Sequence, residues 1–88
     1  MKRVRVRIRG RVQGVFFREE ARRRAESLDV AGWIRNLRDG SVEAVFEGDG
    51  ERVQSMVDWC RRGPRGAAVE GVEATQEEPT AERGFQVR

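Results

Sequence analysis

The sequence predicts an α+β sandwich, with two helices packed on one face of an antiparallel sheet and a short C-terminal strand closing it. Three observations carry that expectation. Residues 3–9 alternate between arginine and a branched apolar residue, the period of a one-sided strand. Two later segments repeat apolar residues at helical spacing. Between them, residues 33–47 form two strand-like runs around Asp39-Gly40, a strong hairpin signal. With 88 residues there is room for one small core, so a single domain over residues 1–88 is expected.

Taken in order, Val4, Val6 and Ile8 are expected to face the core, with Arg3, Arg5, Arg7 and Arg9 facing water, until Gly10 ends the strand. From Phe17 to Asp29 the period lengthens. Phe17, Ala21, Ala25 and Leu28 fall on one helical face, Arg22, Arg23 and Arg24 fill the other, and Gly32 reads as a stop. Trp33–Leu37 and residues 41–47 are the hairpin strands, with Val42, Ala44 and Phe46 on one face. Asp49 is placed to cap a second helix, in which Val53, Met56, Val57 and Cys60 recur at i, i+3, i+4 and i+7. Gly63-Pro64 terminates it. A strand around Ala68–Thr75, with Val72 and Ala74 in phase, a polar loop over 76–84 and a short strand from Phe85 complete a β-α-β-β-α-β order, the split βαβ or ferredoxin-like arrangement.

Composition narrows the chemistry. Histidine is absent and Cys60 is the only cysteine, so the usual general base, a catalytic triad, an internal disulfide and a cysteine-based metal cluster are all excluded. No apolar run reaches membrane-spanning length, and the charged start lacks the apolar stretch of a secretory signal, which makes a cytoplasmic protein the expectation. The net charge is +3, but acids such as Glu19, Glu20 and Glu26 interleave with the arginines, so charge alone is weak support for nucleic acid.

The most informative segment is Gly10-Arg11-Val12-Gln13-Gly14-Val15-Phe16-Phe17-Arg18, where the strand period gives way to the helical one. A glycine-bounded turn entering a helix exposes amides that no carbonyl of the chain has claimed, at the positive end of the helix dipole. Arg18 is the odd residue, because a cation there opposes the dipole. An anion shared by the amides and the guanidinium resolves the conflict, and phosphate is the obvious candidate.

This segment resembles the acylphosphatase pattern Gly-x-Val-Gln-Gly-Val-x-Phe/Met-Arg at every specified position. A second family signature is similar to Gly32-Trp33-Ile34-Arg35-Asn36-Leu37-Arg38-Asp39-Gly40-Ser41-Val42, closing at Gly48. Ile34 departs mildly from the alanine, valine or cysteine more usual there, which touches packing only. The resemblance runs on through Gly63-Pro64 and spans nearly the whole chain. It implies hydrolysis of small acyl phosphates to a carboxylate and inorganic phosphate, with no metal or cofactor. By the same resemblance Arg18 binds the phosphoryl group, amides of Arg11, Val12, Gln13, Gly14, Val15 and Phe16 complete the cradle, and Asn36 orients the attacking water. Phosphate is then a product and a competitive ligand.

Other residues read as structural. Gln13 is expected mainly to support the loop, Gly14 to permit an unusual backbone angle or a close approach, and Phe16 and Phe17 to be core or staple residues. Cys60 reads as a buried thiol. A monomer is expected, since the arginine face of the first strand argues against sheet-edge pairing. A ferredoxin-like nucleic-acid-binding module and a non-catalytic accessory module remain the alternatives. The first is opposed by the absence of aromatics on the outward side of the first strand.

Overall fold

A computed structural model describes residues 1–88. The chain forms β1 (Lys2–Arg11), α1 (Phe17–Ser27), β2 (Ala31–Asn36), β3 (Val42–Gly48), α2 (Gly50–Arg62), β4 (Ala68–Glu77) and β5 (Phe85–Val87). The sheet order is β4-β1-β3-β2-β5. No helix is long and apolar enough to cross a membrane.

The alternation of β1 sends Val4, Val6 and Ile8 beneath the helices, where they meet Val42, Ala44, Phe46 and Ile34 from the neighbouring strands. Phe17, Ala21 and Ala25 of α1 and Val53, Met56, Val57 and Cys60 of α2 close the core from above. Two ring pairs add contacts within the layers: Phe17 of α1 lies 5.1 Å from Trp59 of α2, and Phe46 of β3 stacks 5.8 Å from Phe85 of β5. Burial pushes the Cys60 thiol up, so it stays protonated and inert.

Helix ends follow local chemistry. The Asp49 side chain accepts from the Arg52 amide at 3.2 Å and starts α2 as expected. The stop of α1 differs from expectation. The Val30 amide donates to Ala25 and the Asp29 amide to Glu26, with Asp29 itself at φ 56. This is a Schellman closure built on an aspartate. Gly32, expected as the stop, is instead buried within β2.

Three further expectations are corrected. The sheet is mixed, because β5 pairs parallel with β2 while the other ladders are antiparallel. Residues 78–84 carry the chain from one sheet edge to the other, and β5 resumes in the direction of β2. Arg3 does not face water: it is 6% exposed, beneath Glu47, Glu77, Thr80 and Glu82. The crossing segment covers that end of the outward face. Ala74 is exposed, because β4 is an edge strand and at this position α2 leaves an open hollow lined by Gln54, Val57 and Arg61.

Candidate active site

The link between β1 and α1 is a loop over residues 12–16. Val12 is buried and anchors it, while Gln13 donates through Nε2 to the carbonyl oxygens of Leu37 at 2.7 Å and Ser41 at 2.9 Å. One glutamine amide therefore fastens the loop to the β2–β3 hairpin. The hairpin turn is itself braced: Asp39 accepts from the Ser41 amide at 3.0 Å and the Ser41 hydroxyl at 2.5 Å, and it pairs with Arg7. The Ser41 amide and hydroxyl together hold the Asp39 carboxyl below its usual range.

The loop's backbone is unusual. Gly14 has φ 75 with open space where a Cβ would stand, so its glycine is required by the dihedral and not by crowding. Phe16, at the N-cap of α1, has φ 61 and supplies no side-chain cap. None of the amides from Val12 to Phe16 donates to an acceptor of the protein. Five consecutive N–H groups thus lead into a helix N-terminus, the arrangement that binds anions.

Arg18 lies in the first turn of α1, beside the loop. Its one hydrogen bond within the protein runs from Nη1 to the main-chain oxygen of Arg88, at 2.9 Å. Asn36 is the exposed last residue of β2. A cleft of about 450 Å3 is lined by Val12, Gly14 and Phe16 of the loop, by Arg18, and by Asn36 of the hairpin. Two motifs separated in sequence therefore meet on one concave surface. The cleft offers amide donors, a guanidinium fork and a side-chain amide, and its chemistry suits a tetrahedral oxyanion.

Similarity to known proteins agrees with this geometry. The family model for acylphosphatase matches residues 4–87. The chain belongs to the acylphosphatase family. It is 61% identical over 89 residues to an acylphosphatase of Rubrobacter xylanophilus, covering 99% of this chain and 80% of that one. An acylphosphatase of Roseiflexus is 56% identical over 88 residues, covering 99% of this chain and 95% of that one. Among solved structures, the acylphosphatase from Bacillus subtilis superposes with a TM-score of 0.95 at 31% identity, covering 100% of this chain and 99% of that one.

Within this acylphosphatase fold, some expected loop residues stand apart from the cleft. Arg11 still pairs with Ala68 in the β1–β4 ladder, so the open loop begins at Val12. Val15 lines a neighbouring groove and not the cleft. Phe17 is a core residue as expected, but Phe16 is 79% exposed, because its left-handed backbone turns it away from the core at the helix start. Glu19 and Val87 also line the cleft, and sequence reasoning missed both. Glu19 is held by Arg22, whose guanidinium keeps its carboxyl below the usual range. Val87 arrives through the β2–β5 pairing, which no local pattern announces.

Proposed function

We propose that this chain hydrolyses small acyl phosphates, binding the phosphoryl group between the Val12–Phe16 amides and Arg18. The observation that carries the reading is the convergence of Val12, Gly14 and Phe16 of the open-amide loop with Arg18 and Asn36 on one cleft. The guanidinium takes two phosphoryl oxygens in parallel hydrogen bonds, and the amides neutralise charge on the rest. The Asn36 side chain holds water through its carbonyl oxygen and aims a lone pair at phosphorus.

The water oxygen forms a bond to phosphorus as the bond to the acyl oxygen breaks. The acyl group departs as a carboxylate, and the water proton passes to a phosphoryl oxygen, giving inorganic phosphate. A strong base is unnecessary, because the carboxylate is a good leaving group and the transition state is loose. The reading makes the chain a one-domain, cytoplasmic monomer that works without a cofactor. The buried, unpaired thiol of Cys60 suits a reducing compartment.

Phosphate release from benzoyl phosphate tests it. Arg18→Ala should abolish detectable turnover, and Asn36→Ala should cost at least ~10²-fold in kcat, as expected when a positioning group is lost. Free phosphate should inhibit the wild type competitively, and in direct calorimetric titration it should bind far more weakly to Arg18→Ala than to the wild type. Full activity in either folded variant, checked by circular dichroism, would sink the assignment.

A further inference from the structure

Across Phe16 from the cleft lies a second concavity of about 790 Å3, in which Phe16, Trp59 and Pro64 are joined by Arg24, Arg62 and Arg65. Phe16 lines both hollows, so they adjoin at its exposed ring. The three guanidiniums form no ion pair. Arg24 stands over the Trp59 ring at 5.2 Å, and the one carboxylate of the groove, Glu20, faces Arg23 at 3.8 Å. Arg24 and Arg62 occupy the last turns of α1 and α2, whose negative dipole ends let like charges gather without a carboxylate between them.

The groove is rigidly joined to the cleft. Gly63, at φ 72, packs so closely on Phe17 that a Cβ would stand 2.9 Å from its ring. The turn that floors the groove therefore rests on the residue immediately before Arg18.

We propose that this groove is the acyl subsite and that it selects acyl phosphates whose acyl moiety carries a second anionic group, such as a carboxylate. The proposal rests on the reading of the Arg18 cleft as the phosphoryl site. With the phosphoryl group there, the carbon skeleton crosses the Phe16 ring onto Pro64 and Ala67, above the buried Trp59. A distal anion then meets unpaired guanidiniums, which favour carboxylate and phosphate by geometry as well as charge.

The test compares kcat/KM for succinyl, adipoyl and suberoyl monophosphates with that for monocarboxylic acyl phosphates of equal length, in wild type and in Arg24→Gln/Arg62→Gln/Arg65→Gln. Wild type should prefer at least one dicarboxylic member by ~10-fold or more at low salt, a preference that shrinks as salt screens it. The triple variant should lose that preference and keep its rate on the monocarboxylic substrates within about twofold. A wild-type ratio near one across the series, or equal losses on both substrate sets, overturns the acyl subsite and leaves the phosphoryl site standing. Wild type inactive on every member overturns both readings.

Discussion

Arg3, Arg5, Arg7 and Arg9 leave β1 from the helix-free face of the sheet, and each meets a carboxylate. Arg18, Arg24, Arg62 and Arg65 line the cleft and the groove on either side of Phe16 and meet none. The register explains the first set. Arg7 lies across from Glu43 and Glu73, and Arg3 across from Glu47 and Glu77, so opposite charges alternate along each cross-strand row. Trp33, the ring on that face, is 7% exposed under Arg5, Arg35 and Arg88. A guanidinium saturated by carboxylates or stacked on a ring has little left for a phosphate, whether free or in nucleic acid. The second set keeps its donors because the two acids beside it, Glu19 and Glu20, are taken by Arg22 and Arg23, and its other neighbours are amides, helix ends and rings. Arginine content therefore says little, and partner geometry separates structural from ligand-facing arginine.

The sharpest way to break this contrast is to keep the charge and remove the fork. Arg18→Lys should lower kcat/KM by ~10³-fold, the low end of what an arginine clamping a transferring phosphoryl group contributes. Its thermal midpoint should move little, since Arg18 makes a single exposed hydrogen bond to Arg88. Near-wild-type turnover would show that charge suffices and that bidentate geometry is irrelevant. On the sheet face the same kind of change should have the opposite signature. Arg3→Met leaves Glu47, 2% exposed, without its guanidinium, and should cost about 3 kcal/mol in urea unfolding with kcat on benzoyl phosphate little changed.

How much of this was legible varies with the range of the interaction. The β1 alternation, the hairpin at Asp39-Gly40, the α2 stripe and the Asp49 cap are local patterns, and each appears where its spacing puts it. The exposed loop before α1 was legible for the same reason, as a glycine-bounded entry into a helix. Arg3 was not. Period two says which face a side chain takes, and it cannot say that residues 78–84 will cross that face and that Glu47 will accept from the amides of Thr80 and Glu82. The parallel pairing of β5 fails for the same reason, since three residues do not specify a partner. At the cleft, the motifs named Arg18 and Asn36, but Gln13's bonds to Leu37 and Ser41, which bring the two motifs together, exist only in three dimensions.

The buried cluster also sets a pH dependence. Burial alone would push the Glu47 carboxyl up, but the amides of Thr80 and Glu82 and the Arg3 guanidinium outweigh it and hold the group below its ordinary value of 4.5. Arg5 and Arg3 lower Glu77 likewise. A carboxyl whose folded value lies below its unfolded one contributes stability that is present above the unfolded value and lost as pH falls through the folded one. The urea midpoint should therefore be flat near neutrality and drop below about pH 4.5. Glu47→Gln should be less stable at pH 7 and show a shallower acid dependence. An identical slope in the variant would place the acid sensitivity elsewhere.

The smallest effect is the most discriminating for the contrast. Arg9 pairs with Glu73 at 2.6 Å, yet both side chains are more than half exposed, so solvent screens them and side-chain entropy opposes the pairing. Arg9→Ala should shift unfolding by only about 0.5 kcal/mol, an effect that fades further at high salt. Arg3 and Arg9 come from one strand and one face, and both meet carboxylates. What separates their expected costs is the cover that residues 78–84 lay over one end of the sheet and not the other. If Arg9→Ala proved as damaging as Arg3→Met, burial would not be the variable that ranks these pairs. The face would then have to be treated as one coupled network, to be resolved by double-mutant cycles along the rows Arg35-Glu43-Arg7-Glu73 and Glu47-Arg3-Glu77.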